Sequence, residues 1–529
     1  MDLINKVITA LDDRIDNLKN VDLMVGLMPF IKMKNIDLSI NKINKFIKEK
    51  KKIRVIGDYD VDGIMATIII VSFFREHPEL DDSLISYFIP DRLKHGYGVS
   101  PLIMEDAKKD GVDLIITVDN GIAAVDAIQK GLDLGLDIII TDHHTVPKII
   151  PNIDTIVNPK FDENLEFKEI SGATVAWCFC YALNETLNKK IDMMQFLDFA
   201  ALTVLSDVIP LNNLNRGLLK HGFNVIANSP RELYSRLFSP LQRKNLSSSD
   251  IGFNLVPKIN ATGRLANANL GVELMLSNDI GSILAEIENI NEERKEMTHN
   301  QLQLIMKDAE EQNEKYNCIV VYNDDLHEGV VGILASRLVE IFKKPSFVLT
   351  KHHNEYKGSA RSIGKISVYE LLTNQQKYLL KFGGHAGAAG LGLLKENIEN
   401  LRIGMDKDLK DNYTKEDYEQ ELFYFEVDSM TELTFDLAKI LQNYEPFGSK
   451  FEKPLFKVQV RIKSIDKNID NKHYLCTIYD KLHNRRSVWF YHVSEDMKQY
   501  LDKPIEILLD VGLNFWNGNI SSVYRGKFL

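Results

Sequence analysis

Three aspartates crowd into one short segment of the chain, Gly57–Gly63 (GDYDVDG). The apolar run before it, 53–56, is typical of a buried strand, and the run that begins at Ile64 is typical of a helix, so the acids are predicted to lie on the connecting loop. Carboxylates this close repel one another and resist losing water, and a bound cation relieves both penalties. One aspartate alone would indicate a helix cap. Three together favour a metal site.

The same succession of an apolar run and an acidic residue recurs downstream. The run 114–118 ends at Asp119, the run 138–141 ends at the triplet 142–144 (DHH), and Asp207 closes a further apolar segment. In an open parallel sheet, residues at the carboxyl ends of successive strands converge. Each aspartate alone is more typical of a helix cap or turn. Together they predict a cluster of carboxylates and imidazoles without thiolates, which suits manganese or magnesium.

Eight motifs of the chain resemble a known superfamily. DYDVDG, VDNG, DHH and SDVIPL resemble the DHH phosphoesterases, and IPDRLKHGYG, INATGRL, GSARSIG and GGHAGAAG resemble the RecJ-type branch of single-strand-specific 5′→3′ exonucleases. The resemblance runs from about residue 42 to 447. It implies two divalent cations, Mn²⁺ or Mg²⁺, and a catalytic group in which His144 faces the scissile phosphate. The metal ligands that it implies are Asp60, Asp62, Asp119, His143 and Asp207.

The chain departs from the superfamily pattern at one position. Members often carry a ligand histidine four residues before the position of Asp60, and this chain has Ile56 there. Two alternatives stay open at this point. Asp58 replaces the missing ligand from the loop, or it orients the ligands from behind them. We include Asp58 among the predicted metal ligands.

The predicted fold is α/β. A DHH-type parallel-sheet domain (38–279) follows an N-terminal helical segment (1–37), and a long helix (280–316) joins it to a smaller α/β DHH-associated domain (317–410). Residues 411–529 are predicted to form a linker and an OB-like β-barrel. The segment 405–421 is rich in charge and is expected to be a connector, and Asn517-Gly518 predicts a hairpin turn.

Further residues are predicted to bind the substrate. By resemblance, Arg92 would join Ser359 and Arg361 in a pocket for a 5′ phosphate, and Arg264 and His385 would contact the strand. Small residues in 383–387 let a backbone approach a phosphate closely, although a tight packing turn explains these glycines equally well. In the barrel, three aromatic residues are candidates to stack on bases, and burial in the core is the alternative for at least one of them. They are Trp489, Tyr491 and Trp516.

Composition narrows the class of protein without indicating the activity. A chain of 529 residues with 44% hydrophobic content can bury several cores. Its four cysteines are too scattered for a disulfide framework, no apolar run reaches membrane-spanning length, and the start has no signal-peptide layout, so we expect a cytoplasmic protein. The net charge of −11 argues mildly against a polyanionic substrate. Bound metals neutralise part of that charge, and a channel can be locally basic.

The expected function is removal of nucleotides from the 5′ end of single-stranded DNA in repair and recombination. The expected partners are 5′-phosphorylated single strands, a single-strand-binding protein and a helicase, and no membrane. Two alternatives remain. One is a phosphodiesterase for short oligonucleotides or cyclic dinucleotides, and the other is an inactive scaffold of DNA replication. The barrel favours long strands, and the retained acids argue against the scaffold.

Overall fold

The computed structural model describes residues 2–16, 22–92, 95, 98–277, 279–469, 473–491, 493, 497–516 and 519–528, with the side chains of Asp16 and Trp516 excepted. Contacts within the chain divide it into two compact units. Unit 1 contains residues 1–263, 267–287 and 423–529, and unit 2 contains residues 264–266 and 288–422. The chain therefore leaves unit 1, builds unit 2, and returns.

The first part of unit 1 is a five-stranded parallel sheet in the order β2-β1-β3-β4-β5, with helices on both faces. Strands such as β3 (LIITV) are buried at every position, as expected for a strand covered on both sides. The strand order reverses between β1 and β3, and ligands of such sheets bind at this switch point. The strands are β1 Ile53–Ile56, β2 Ile85–Phe88, β3 Leu114–Val118, β4 Asp137–Thr141 and β5 Ile156–Val157. The helices are α1 Leu3–Asp16, α2 Leu23–Ile31, α3 Ile36–Lys48, α4 Val61–Glu76, α5 Pro101–Lys109, α6 Val125–Asp133, α7 Gly172–Thr186, α8 Leu197–Ser206, α9 Asn213–Asn228, α10 Glu232–Leu237, α11 Pro240–Lys244, α12 Ser248–Asn254, α13 Val256–Leu265 and α14 Asn269–Leu276.

A single long helix, α15 Ile280–Lys315, leads into the sheet of unit 2. That sheet is mixed, in the order β6-β7-β8-β10-β9, and only β6 and β7 are parallel. The expected connector begins later than predicted, because residues 405–412 extend α18 and bury Met405 and Leu409. The elements are β6 Ile319–Tyr322, α16 Val331–Phe342, β7 Ser346–His352, β8 Glu355–Arg361, α17 Val368–Asn374, β9 Lys381–Gly384, β10 Ala388–Leu393 and α18 Ile398–Asn412.

The last part of unit 1 is a five-stranded barrel. Strand β12 pairs with both β13 and β15, which closes the order β12-β13-β14-β16-β15 on itself. The predicted alternation along β12 is present, with Phe456, Val458, Val460 and Ile462 buried between partly or fully exposed neighbours. The predicted hairpin turn at 517–518 lies outside the described residues. The elements are β11 Tyr424–Glu426, α19 Phe435–Asn443, β12 Leu455–Ile469, β13 His473–Asp480, β14 Arg485–Phe490, β15 Pro504–Trp516 and β16 Asn519–Phe528.

The barrel segment and the first helix are joined within unit 1. Arg14 on α1 forms an ion pair of 2.7 Å with Glu452, and Tyr444 donates a hydrogen bond of 2.6 Å to Asp12. One continuous apolar core runs from the helices of the parallel-sheet domain into the barrel. Among the helices of the described residues, none is both long and apolar enough to cross a membrane.

Candidate metal centre

The loop after β1 presents its aspartates because it is folded tightly against the start of α4. A Cβ atom at Gly63 would lie 2.3 Å from the backbone nitrogen of Asp58, so only glycine fits there. Asp60 caps the helix, and its Oδ1 accepts hydrogen bonds from the N–H groups of Asp62 (3.0 Å) and Gly63 (3.2 Å). The cap holds one carboxylate oxygen of Asp60 in place and leaves the other oxygen to bind a cation.

The start of α7 fixes the next carboxylate. Asp62 accepts hydrogen bonds from the N–H groups of Gly172 (2.7 Å, to Oδ2) and Ala173 (2.8 Å, to Oδ1). Asp119, just after β3, packs so closely on this turn that a Cβ at Gly172 would lie 2.7 Å from the Cβ of Asp119. The sequence analysis did not identify Gly172. The small residues at 171–173, which are the cap and first turn of α7, were the only signal for it.

His143 presents an unprotonated nitrogen to three carboxylates. Its Nδ1 lies 2.9 Å from the carbonyl oxygen of Ile170, which can only accept, so Nδ1 carries the proton. Burial lowers the pKa of His143 to about 3, so the ring is neutral and Nε2 carries a lone pair. That Nε2 lies 3.1 Å from Asp119, 3.5 Å from Asp62 and 3.7 Å from Asp207. Such an arrangement is repulsive without a cation. Neighbouring ligands in an octahedral magnesium site lie roughly 3 Å apart.

The ligand atoms form overlapping groups. Within each group they all lie within 4.8 Å of one another, and Asp119 and His143 each belong to two groups. Overlapping groups of this kind would allow two adjacent cations to share a ligand. The buried Oδ1 atoms of Asp58 and Asp119 accept no hydrogen bond within the described part of the chain, so they are available to a cation. The groups are Asp58–Asp60–Asp119, Asp62–His143–Asp207 and Asp119–His143–His144.

The electrostatics of the cluster also fit a divalent cation. Burial raises the pKa of Asp58, Asp62 and Asp119 well above the ordinary value, and neighbouring carboxylates raise it further. Burial and the charge of Asp60 raise the pKa of Asp207 to about 7. A bound cation removes this penalty by pairing with the charged forms. Oxygen and imidazole donors without thiolate suit Mn²⁺ or Mg²⁺.

Asp142, the first residue of the DHH triplet, orients the two histidines. Its Oδ1 accepts from the N–H of His143 (2.7 Å) and the N–H of His144 (3.0 Å), and lies 2.7 Å from Nδ1 of His144. Burial opposes charge on both partners of that last contact. The hydrogen bond between Asp142 and His144 outweighs the effect of burial. It lowers the pKa of Asp142 to about 2 and raises the pKa of His144 to about 9. His144 is therefore a cation at neutral pH. Sequence reasoning placed Asp142 at a strand end without identifying this role.

The position that lacks the ligand histidine lies in the apolar core. Ile56 is fully buried, and a core cluster on one face of the sheet includes it. Asp58 is itself only 2% exposed and belongs to one of the three ligand groups. Arg92 lies beside this loop, with its guanidinium 5.4 Å from the ring centre of Tyr59, and its charge lowers the pKa of Asp58 against the larger effect of burial. The structure thus places Asp58 within the cluster of carboxylates and Arg92 beside the loop that carries it.

Asp207 reaches the cluster from a helix and not from a strand. It is the C-cap residue of α8, and its N–H donates to the carbonyl of Thr203 at 3.0 Å. The apolar segment before it therefore differs from the strands that carry the other acids. Asp207 nevertheless resembles the other acids in one respect, because it also lies at the end of a buried element.

Unit 2 contains the predicted phosphate pocket residues Ser359 and Arg361. Both lie on β8 and face the first turn of α16, where a Cβ at Gly332 would lie 3.0 Å from the guanidinium of Arg361 and 3.4 Å from Oγ of Ser359. Among the described residues, no side chain caps the start of α16. Arg264 donates to the carbonyl oxygen of Gly329 at 3.1 Å. His385 lies in the turn between β9 and β10.

The barrel carries a ladder of partly exposed rings. The rings of Trp489 and Tyr491 stack with centres 5.7 Å apart, and His473 lies 5.5 Å from Tyr491. Tyr491 is 47% exposed. The side chain of the third predicted residue, Trp516, lies outside the described residues.

Three parts of the chain match known families. They are the DHH family, N-terminal domain (52–204), the DHHA1 domain (315–411) and the RecJ OB domain (427–523). The chain is similar in fold to the crystal structure of RecJ in complex with Mn²⁺ from Thermus thermophilus, with a TM-score of 0.74, 24% identity, and coverage of 93% of this chain and 71% of that one. A crystal structure of exonuclease RecJ bound to manganese gives a TM-score of 0.60 at 29% identity, covering 74% of this chain and 97% of that one.

Curated relatives extend the similarity over most of the sequence. The single-stranded-DNA-specific exonuclease RecJ of Bacillus subtilis is 32% identical over 92% of this chain, which spans 62% of that relative's length. The protein of the same name from Salmonella typhimurium is 31% identical over 83% of this chain and 80% of its own length. The Escherichia coli protein is 32% identical with the same coverage. With these matches over all three domains, the chain belongs to the RecJ family of single-stranded-DNA-specific exonucleases.

Proposed function

We propose that this protein hydrolyses single-stranded DNA from the 5′ end to mononucleotides, with two divalent cations, Mn²⁺ or Mg²⁺, in DNA repair and recombination. One observation carries the proposal. The unprotonated Nε2 of His143 lies among the carboxylates of Asp62, Asp119 and Asp207, an arrangement of electron-pair donors that a bound cation stabilises. Family membership adds the substrate class, because the relatives named above are single-stranded-DNA-specific exonucleases.

The chain's own residues divide the chemical work. Six side chains, those of Asp58, Asp60, Asp62, Asp119, His143 and Asp207, would hold the cations. A bound pair of divalent cations polarises the phosphate, lowers the pKa of a bound water and stabilises the attacking and leaving oxygens. His144, kept protonated by Asp142, donates a hydrogen bond to a phosphate oxygen and offsets its charge. Fixed donors of this kind need no reorganisation during the reaction.

Polarity follows from a binding site for the terminal phosphate in unit 2. The uncapped first turn of α16 offers backbone N–H groups, and Ser359 and Arg361 face that turn. A planar guanidinium pairs well with phosphate oxygens. The absence of a Cβ at Gly332 lets the guanidinium of Arg361 approach the helix closely. We assign this site to the 5′ phosphate. The contribution of Arg92, expected from the sequence, stays a prediction.

The remaining assignments concern the rest of the strand. Arg264 and His385 would contact its backbone, and the ring ladder of Trp489 and Tyr491 would stack on bases. A single-strand-binding protein and a helicase, which deliver single strands, are the proposed protein partners. We propose a cytoplasmic location because all four cysteines are free and buried. The domain boundaries given above also remain predictions.

The test uses 5′-labelled and 3′-labelled single strands with Mn²⁺, and product lengths are read over time. The proposal expects mononucleotides from the 5′ end, no cleavage of blunt duplex, and activity that persists from dinucleotides to long strands. Arg361→Ala should reduce the preference for 5′-phosphorylated over 5′-hydroxyl strands by about ten- to a hundred-fold, since a charge-assisted hydrogen bond is lost. Lys365→Ala, which removes an exposed charge four residues away, is the matched control.

Four outcomes would contradict the proposal. Early 3′-end products would reverse the polarity. Equal cleavage of circular and linear strands would show that the enzyme does not need a free 5′ end. Activity on dinucleotides alone would favour the short-oligonucleotide phosphodiesterase, and complete inactivity with bound Mn²⁺ would favour a scaffold.

A further inference from the structure

Val208, the residue after Asp207, has a backbone conformation that valine rarely adopts. Its φ is 53°, and among the non-glycine residues of positive φ in the described part of the chain it alone is β-branched. In this left-handed region the Cβ atom crowds the backbone, and branching makes the crowding worse. The conformation is therefore unfavourable for this residue type.

The hydrogen bonds at the end of α8 show why a residue must adopt this conformation here. The N–H of Ile209 donates to the carbonyl of Val204 at 3.0 Å, and the N–H of Val208 donates to the carbonyl of Leu205 at 3.4 Å. This is a Schellman motif, and Val208 stands at the position that glycine usually occupies. Ile209 and Val204 are both buried, as the motif requires.

The segment cannot relax the strain by shifting. Ile209 is 5% exposed and Leu211 is 1% exposed, so both are anchored in the core. The N–H of Leu211 also donates to the carbonyl of Ser449 at 2.8 Å. A Cβ at Gly448 would lie 2.9 Å from the side chain of Leu211, so the two segments are packed tightly. The bend after Asp207 is held from both ends.

Packing does not compensate for the unfavourable backbone. The Val208 side chain is 67% exposed, so an apolar group stays in water in the free protein. Val208 therefore combines a strained backbone with an exposed apolar side chain. It directly follows Asp207, whose carboxylate lies 3.7 Å from Nε2 of His143. Strain and an exposed apolar group at a catalytic cluster are typical of a residue selected for the bound state.

We infer that the isopropyl group of Val208 contacts the apolar surface of the nucleoside beside the scissile phosphate, and so is a further substrate-binding residue. The inference rests on the proposed function. The carboxylates and cations of the cluster take the phosphate, while the sugar and base of the same nucleotide present apolar surface. Val208 directly follows Asp207 in the chain, and its exposed isopropyl group offers a matching apolar surface.

The inference predicts opposite effects on stability and on substrate binding. Val208→Gly relieves the backbone strain and should raise Tm by about 1–3 °C. It also removes the contact, so KM for single-stranded DNA should rise by about three- to ten-fold. Both kcat and the Mn²⁺ concentration that gives half-maximal activity should stay unchanged. Val208→Asn, which tolerates this φ and keeps a side chain, should raise KM in the same way.

Lys343→Gly is the matched control. Lys343 ends α16 with φ 54° and lies outside the proposed catalytic and binding residues. This variant should raise Tm and leave KM unchanged. A wild-type KM in both Val208 variants would refute the inference, as would a higher Mn²⁺ requirement, which would mean that Val208 acts through Asp207. If the wild-type protein does not hydrolyse single strands, the proposed function fails instead.

Discussion

Replacing Gly172 by alanine should weaken metal binding strongly, although residue 172 is not itself a proposed ligand. The new Cβ would lie 2.7 Å from the Cβ of Asp119 and 2.9 Å from its Oδ1. Carbon atoms in ordinary contact are about 3.5–4.0 Å apart, so Asp119 or the start of α7 must move by roughly 0.8 Å or more. Metal–ligand distances tolerate only about 0.2 Å. Asp119 and the start of α7 therefore cannot both keep their positions in the variant.

The size of the effect follows from the contacts that the shift would strain. Gly172 and Ala173 each donate a charge-assisted hydrogen bond to Asp62, worth about 1.5–3 kcal/mol. Loss of a group that orients a metal ligand typically costs 10- to 100-fold in affinity, or about 1.4–2.8 kcal/mol. We expect Gly172→Ala to weaken Mn²⁺ binding by at least about 100-fold, because it disturbs Asp62 and Asp119 together. Overpacking should also cost about 1–3 kcal/mol of stability.

The assay is a calorimetric titration of chelated protein with Mn²⁺, run beside hydrolysis of labelled single strands. Gly217→Ala is the matched control, because Gly217 lies within α9 and its added Cβ would meet nothing within 4 Å. That control should stabilise the protein by about 0.5–1 kcal/mol and leave Mn²⁺ binding unchanged. Wild-type Mn²⁺ affinity in Gly172→Ala would refute the assignment of Asp119 and Asp62 as ligands held by α7.

Three further predictions concern the cluster itself. Asp119→Ala or His143→Ala should abolish cleavage while circular dichroism shows a folded protein, and normal turnover in either would disprove the site. Asp58→Asn should weaken Mn²⁺ binding markedly if Asp58 is a ligand. A smaller loss of activity that excess Mn²⁺ restores would indicate that Asp58 orients the ligands. An unchanged Mn²⁺ requirement would mean that Asp58 only shapes the turn. The pKa of Asp207, raised from its ordinary value to about 7, predicts that metal-free protein loses stability as pH rises from about 4 to about 7, because the folded state holds a proton that the unfolded state has released. Mn²⁺ should therefore raise Tm more at pH 8 than at pH 6, and an equal rise at both would contradict that pKa.

The sequence predicted the cluster because parallel strands end at a common edge. Asp119 and His143 follow β3 and β4, and Asp58, Asp60 and Asp62 follow β1, so the topology alone brings them together. This inference needed only apolar runs and the acids after them. The predicted α/β fold with a C-terminal OB barrel is confirmed by the sheets and by the family matches.

Contacts between distant segments were not predictable in this way. Gly172 matters because Asp119 approaches it in space, and no local pattern encodes that approach. The strain at Val208 depends on the way α8 ends, which the run of apolar residues does not reveal. The segment 405–421 was expected to be a connector because it is rich in charge. Two buried side chains one turn apart, Met405 and Leu409, hold residues 405–412 of it as a helix.

The return of the chain to unit 1 has a consequence for how the protein is made. The core of the catalytic unit includes apolar residues of 423–529, and Asp12 and Arg14 bind residues that lie more than four hundred positions later. When the residues of the parallel sheet have been synthesised, the later residues that cover the helices of this domain have therefore not yet been made. Unit 2 is built from local segments and has all its residues earlier. We expect unit 2 to fold on the nascent chain first, while the metal-binding part stays open to chaperones until translation passes the barrel.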